Sequence, residues 1–164
     1  MLTLKQILVA TDFSEPSEAA LLYGRELAMR FGARLHVLHV ADAISATAGE
    51  EFFPGDIEAL QADVLKRAAE RLDTLLTDHD LTMLRATPVV RASGNVADAI
   101  VDYAKDIHVD VIVVGTHGRG GVSHLFMGSV AEHVVRKAPC PVLVVRPNEH
   151  EFVVPDPVRV SARI

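Results

Sequence analysis

The sequence predicts an α/β fold, an open parallel sheet with helices on both faces, and three observations carry that expectation. Short β-branched runs alternate with longer stretches of helical period, the sign of repeated βαβ units. The β-branched runs are apolar almost without a break, as strands covered on both faces require. At 164 residues, 49% of them hydrophobic and 23% charged, the chain suits one domain with one core rather than two.

Five strands follow in order: residues 5–11 (KQILVAT), 34–40 (RLHVLHV), 87–91 (TPVVR), 110–114 (DVIVV) and 141–146 (PVLVVR). By composition the first, fourth and fifth read as the most central or most hidden. Four helices separate them. The first opens after Asp12-Phe13-Ser14 with Pro16 in its first turn, presents Ala20, Tyr23, Leu27 and Phe31 inward, and ends at Gly32. The second is expected from about Asp56 to His79, with Ile57, Leu60, Val64, Ala68, Leu72 and Leu75 on one side and charge on the other. A third follows Gly94 with Ala97, Ile100, Val101, Ala104 and Ile107 at helical spacing, and a fourth follows Gly128 with Ala131, Val134, Val135 and Ala138.

Two segments fit neither period. Residues 41–55 (ADAISATAGEEFFPG) read as a mobile loop that lies over a site or serves as filler. The tail beyond Pro147, with Pro155 and Pro157 among Phe152, Val153, Val154, Val158 and Val160, is too apolar for a disordered end and too proline-rich for a central strand. A domain over 1–147 and an extension over 148–164, packing on its own domain or serving as a dimer arm, is the expected division.

Charge and composition exclude some partners. Sixteen basic against twenty-two acidic residues give a net charge of −6, so a polyphosphate backbone would repel the protein. No apolar run approaches the roughly 20 residues that cross a bilayer, and the chain enters a strand-like run at its start instead of a secretory signal. No nucleic acid, no membrane and a cytoplasmic setting are expected. The single cysteine, Cys140, lies between Pro139 and Pro141 and reads as a small residue at a strand entrance rather than a reactive thiol.

The residues that carry chemistry follow the fourth strand. Gly115, Gly118, Gly120 and Gly121 form a loop that leads to Gly128-Ser129 at a helix start. Glycines let backbone N–H groups close on phosphate oxygens, and a helix amino terminus favours an anion. The Walker pattern fails because Gly121 stands where lysine belongs, and the dinucleotide pattern fails because Ser123 stands where its third glycine belongs. What remains is Gly115, two residues, Gly118, nine residues, Gly128 and Ser129.

That spacing, G-x2-G-x9-G-[ST], resembles the ATP-binding subclass of the universal stress protein family in every fixed position. Residues 7–14 (ILVATDFS), 35–40 (LHVLHV) and 138–145 (APCPVLVV) are similar to that family's first, second and closing strands, and the likeness covers roughly residues 3–147. It departs at Gly94-Asn95-Val96, where the family often has proline after the glycine. The resemblance implies a Rossmann-like sheet of the adenine nucleotide α hydrolase-like type, in order 3-2-1-4-5, with ATP across the point where strand order reverses. Carried over, the nucleotide-binding positions are Ala10, Thr11, Asp12, Val40, Val114, Gly115, His117, Gly118, Arg119, Gly128, Ser129 and Val130.

Within that set, Asp12 would stand beside the ribose or a phosphate-bound magnesium ion, and it also suits a cap for the first helix. Val40 would offer backbone groups to adenine, while Gly115, Gly118, Gly128, Ser129 and Val130 would hold ribose and phosphates. His117 and Arg119 would offset phosphate charge or stand solvated at the surface. His36 and His39, three apart on a strand, point to opposite faces, and His117, His124 and His133 lack zinc spacing. Without a loop lysine or an evident carboxylate pair, binding is better supported than catalysis, so a nucleotide-responsive regulator is the expected function. A slow ATP hydrolase or phosphotransferase using Asp12, and a nucleotide-free scaffold for partner proteins, are the alternatives. In the implied order the strand beginning at Pro141 is outermost, which predicts a homodimer paired along residues 141–146.

Overall fold

Strand β1 (Gln6–Ala10) sits at the centre of a five-stranded parallel sheet, flanked by β2 (Arg34–Asp42) and β4 (Val111–Gly115), with β3 (Thr87–Ser93) and β5 (Val142–Val145) at the edges. The order β3-β2-β1-β4-β5 reverses between β1 and β4, as expected. The computed structural model describes residues 3–44, 54–116, 127–147 and 153. The expected glycine loop at 117–126, most of the 41–55 loop and nearly all of the tail therefore lie outside the described residues.

Helices cover both faces because alternate strand residues point to opposite sides. On one face, α1 (Glu15–Phe31) and α2 (Pro54–Leu75) bury Ala20, Leu21, Tyr23 and Leu72 against Ile7, Val9, Leu35, Val37 and Val113. On the other, α4 (Val96–Asp106) and α5 (Ser129–Lys137) bury Ile100, Ala104, Ala131 and Val134 against Leu8, Leu38, Val40, Ile112 and Val114. Helix α1 rides so close to the sheet that a Cβ on Gly24 would stand 2.3 Å from Val9 Cγ2, which makes glycine necessary there. Gly32, at φ 63°, caps α1 in the left-handed conformation that glycine tolerates. Half-buried Cys140 packs beside the second face, and burial pushes its thiol up from the ordinary range.

Several expectations need correction. The second helix does not continue to His79: it stops at Leu75, and a short helix, α3 (Asp78–Met83), restarts it. Thr77 causes the restart by a reciprocal cap, its hydroxyl accepting from Asp80 N while the Asp80 carboxylate accepts from Thr77 N. The fifth strand is not among the most hidden, since among the described residues β5 has one sheet neighbour and buries only Val145. The most hidden is β2, with seven consecutive buried residues between β1 and β3. Its ladder with β3 continues to Asp42–Ser93, past the expected end at Val40, and α2 begins at Pro54 within the expected loop.

Three residues assigned inward by period stand exposed. Phe31 is the last residue of α1, Leu60 precedes Ala68, the first buried residue among those described in α2, and Val135 flanks the narrow α5 contact made by Ala131 and Val134. The departure at Gly94-Asn95-Val96 is harmless, because Asn95 caps α4 by accepting from Asp98 N at 3.1 Å. No described helix is long and apolar enough to cross a membrane.

Candidate functional site

The crevice at the carboxyl edge begins where two ladders stop out of step. The β1–β2 register runs on to Ala10–Leu38 and the β4–β5 register to Gly115–Val145, but the β1–β4 register ends at Val9–Val113. Strands β1 and β4 therefore diverge before either loses its other neighbour. Ladder bonds alternate between neighbours along a strand. Thr116 N donates to Val145 O at 2.9 Å, so the backbone of Gly115, one residue back, is turned toward the β1 side. By the same alternation, Thr11 N donates to Leu38 O at 2.9 Å, and the backbone of Val40 faces β1 at a level where that strand has already turned away.

The β1 side of the crevice is a tight turn. The Thr11 hydroxyl accepts from Phe13 N at 3.0 Å and meets Ser17 Oγ at 3.0 Å, and both Thr11 and Ser17 are buried. The Thr11 side chain is thus engaged within the turn. Asp12 Oδ1 accepts from both the backbone N and the hydroxyl of Ser14, an Asx-type turn leading into α1. Asp12 does not itself occupy the N-cap position, which belongs to Ser14.

Between Asp12 and Ser14, Phe13 adopts φ 64°, a left-handed conformation that costs a bulky residue energy. Contacts on both sides hold it there. Its ring packs on His39 at 4.5 Å between centroids, and the Arg71 guanidinium lies 3.9 Å from its centroid. His39 Nδ1 in turn donates to the Thr11 carbonyl at 2.8 Å. No local signal in the sequence marks this stack, because its members come from the first turn, the second strand and the second helix.

The opposite wall begins at Gly115. A Cβ there would stand 2.6 Å from both the carbonyl carbon and the carbonyl oxygen of Pro16, so the glycine admits the first turn of α1. Thr116 is buried, and its carbonyl accepts from Gly128 N at 2.6 Å, which brings the two ends of the glycine motif together. Gly128 is the N-cap of α5 and supplies no side-chain cap. The first-turn N–H groups of α5 accordingly lack a side-chain acceptor from the cap position, next to the positive end of the helix dipole.

Of the predicted site residues, Ala10, Thr11, Asp12, Val40, Val114, Gly115, Gly128, Ser129 and Val130 all lie on this carboxyl rim or at the amino end of α5. The side chains of Val40 and Val114 are buried in the core; the backbone of Val40 is left facing the crevice, whereas that of Val114, one residue before Gly115, is turned toward β5 and taken up by that ladder. His117, Gly118 and Arg119 lie outside the described residues. The two strand histidines do face opposite ways: His39 meets Phe13, whereas His36 Nδ1 lies 2.9 Å from Tyr103 Oη and His36 Nε2 2.9 Å from Gln6 Oε1. His133 bonds Asp98 at 2.8 Å and so links α5 to α4. Among the described residues, no group of three or more His, Cys, Asp or Glu gathers as a metal site. For a magnesium ion carried by phosphates, the matching donor is the Asp12 carboxylate.

Comparison with known proteins agrees with this architecture. The model of the family described as "Universal stress protein family" matches residues 3–146. A universal stress protein from Thermus aquaticus, encoded in the QAH/OAS sulfhydrylase 3′ region, is 36% identical over 143 residues, covering 87% of this chain and 98% of its own. The solved universal stress protein UspA from Lactobacillus plantarum superimposes with TM-score 0.69 at 25% identity, covering 89% of this chain and 100% of its own. A universal stress protein solved in complex with cAMP shares the fold at TM-score 0.55 and 24% identity, covering 88% of this chain and 98% of its own.

Proposed function

Because the chain belongs to the universal stress protein family, we propose that it binds ATP across the β1–β4 crevice and acts as a nucleotide-responsive regulator of the stress response. One observation carries the reading. The bond from Gly128 N to Thr116 O closes the glycine motif at the amino end of α5, directly beside the point where β1 and β4 diverge.

In this reading the α5 N–H groups at Ser129 and Val130, with the motif backbone at Gly115, Gly118 and Gly128, receive the phosphates and ribose. The backbone of Val40 meets the adenine, the backbone of Ala10 lines the floor, and Thr11 and Val114, whose backbone groups bond toward β2 and β5, hold the two walls in place. His117 and Arg119 offset phosphate charge. Asp12 orients the ribose or a magnesium ion held mainly by phosphate oxygens and water. These roles are binding and orientation, which suits a protein whose state reports nucleotide level. The same reading has it act in the cytoplasm as a homodimer paired through β5.

The test is to identify by mass the nucleotide released from freshly purified protein and to measure ATP, ADP, AMP and cAMP affinities, with Gly118→Ala plus Gly128→Ala as the comparison. Gly128 has φ −69° and ψ 153°, which alanine adopts freely, so lost affinity at that position reports close approach rather than backbone strain. Unchanged affinity in the double variant would overturn the site. Steady phosphate release that vanishes in Asp12→Asn would make the protein a slow hydrolase instead.

A further inference from the structure

Thr11 is the residue at which β1 leaves the sheet, and three of its four polar bonds are those of a strand running into a turn. Its N–H donates to Leu38 O at 2.9 Å. Its hydroxyl accepts from Phe13 N at 3.0 Å and lies 3.0 Å from Ser17 Oγ. Because the Ser17 hydroxyl donates to Ser14 O at 2.9 Å, the hydrogen between Thr11 and Ser17 belongs to Thr11. The fourth group is the carbonyl, and its partner is a side chain, His39 Nδ1, at 2.8 Å. A carbonyl only accepts, so the imidazole carries a proton at Nδ1.

A continuing ladder would supply a different partner. In a parallel pair, a residue that gives its N–H to one position of the neighbouring strand receives at its carbonyl the N–H from two positions on. Thr11 gives to Leu38, so the next rung would run from Val40 N to Thr11 O. Among the described residues that rung is missing, and the β1–β2 register ends at Ala10–Leu38. His39 stands in its place. Its ring lies on the α1–α2 face, packed on Phe13 at 4.5 Å between centroids, and draws the Thr11 carbonyl toward that face. Thr11 is buried, so its carbonyl needs a partner, and the imidazole serves without engaging the Val40 N–H.

We propose that His39 is a positioning residue for adenine recognition: by holding the Thr11 carbonyl it stops the β1–β2 ladder one rung early and keeps the Val40 N–H directed into the crevice as a donor. This role rests on the crevice reading and deepens it. A backbone donor at this position selects a base with an acceptor on the facing edge, which adenine offers at N1. Guanine carries hydrogen at N1, and a donor opposite a donor leaves both unpaired. The bond from His39 also fixes the plane of the trans peptide that leads into Asp12, so the adenine and Asp12 ends of the site share one anchor.

The experiment measures amide hydrogen exchange at Val40 by NMR in the full, nucleotide-free chain, unmodified and with His39→Phe or His39→Asn. Phenylalanine keeps a ring against Phe13 but has no donor, whereas asparagine loses the ring and places an amide N–H near the position of Nδ1. In the unmodified chain Val40 should exchange at least about tenfold faster than Leu38, one rung back in the ladder. In His39→Phe the released Thr11 carbonyl takes the Val40 N–H, so exchange at Val40 should slow even as the protein becomes less stable. Loss of packing alone does not produce that combination. In His39→Asn, Val40 should exchange as it does in the unmodified chain. The preference for ATP over GTP should narrow about tenfold in His39→Phe, the scale of one hydrogen bond, and be kept in His39→Asn. A Val40 amide already protected in the unmodified chain overturns the proposal without any variant. So does exchange at Val40 that fails to slow in His39→Phe, or an ATP preference that is equal in the two variants. Failure of the unmodified chain to bind ATP would overturn the crevice reading instead, while the exchange result, which needs no nucleotide, would still decide whether His39 ends the ladder.

Discussion

Gly115 lies so near Pro16 that a single added methyl group at Gly115 would stand 2.6 Å from the Pro16 backbone carbonyl. The contact joins the start of the β4 wall of the crevice to the start of α1, and with it to the Asp12 turn. The rigid proline ring and the helical backbone leave no flexible side chain to swing aside. Gly115→Ala should therefore cost about 1 to 3 kcal/mol of overpacking, read as a lower denaturant midpoint at unchanged slope. It should also weaken ATP binding. A variant with wild-type midpoint and affinity would show that the turn yields freely.

Arg25 grips Asp80 with two hydrogen bonds, Nε to Oδ1 at 2.9 Å and Nη2 to Oδ2 at 2.7 Å, and Nη2 also donates to Leu75 O at 3.0 Å. This pair ties α1 to the junction of α2 and α3. Burial alone would raise the Asp80 pKa, but the bonds from Arg25 and Thr77 together hold it below the ordinary value. Arg25→Met strands a carboxylate that is 2% exposed and should cost about 3 to 5 kcal/mol. Asp80→Asn should cost less, because Arg25 reaches water. Equal losses in thermal unfolding would contradict this asymmetry.

His36 gives stability a pH dependence of known sign. Burial, and secondarily the charge of Arg34, lowers its pKa in the folded protein. The unfolded chain takes up a proton near pH 6.5, whereas the folded chain resists until the pH is lower. Unfolding therefore becomes easier as pH falls from about 6.5 toward the folded value, and this contribution is absent above neutrality. Midpoints measured from pH 8 to 5 should drop in the acid half, and His36→Gln should shrink the drop. A slope identical in the variant would assign it elsewhere.

The stack on Phe13 predicts a graded response. Arg71→Met removes only the cation over the ring, worth about 0.5 to 1 kcal/mol at an exposed position. Phe13→Ala keeps the left-handed φ of 64° and loses both partners, so it should cost more and loosen the Asp12 turn. Calorimetric ATP affinity should fall in Phe13→Ala and change little in Arg71→Met. The reverse order would mean that Arg71 touches the ligand itself.

Edge strand β5 bears the dimer expectation. Val144→Glu puts a charge on a half-buried strand that ends the sheet on its outer side. Sedimentation should show the dimer dissociating at higher concentration than for the unmodified protein. An unchanged profile would exclude pairing through β5.

How far the sequence could be read depended on whether each signal was local. The apolar run at Ile7, Leu8 and Val9 and the helical spacing of Ile100, Val101 and Ala104 are local signals, and strand and helix formed where expected. The break at Thr77 was local as well, with Asp80 three residues on, but the apolar period of Leu72 and Leu75 masked it. Sheet order was implied only by resemblance, since period cannot say which strands meet. The contacts between Gly115 and Pro16, and among Arg71, Phe13 and His39, join residues far apart in sequence and have no local signature. Val40 and Val114 illustrate the remaining gap: their spelling is that of core residues, and only the ladder pattern turns the Val40 backbone toward the crevice.

The central place of β1 has a consequence for biosynthesis. The strand is made before the other four, yet one of its edges is not satisfied until Val111, Ile112 and Val113 have been translated. At ordinary elongation rates, that leaves Ile7, Leu8 and Val9 with a bare pairing edge for roughly 5 to 20 s on the ribosome. Lys5 on one side of this run and Asp12 on the other are charges of the kind that keep nascent strands from associating with one another.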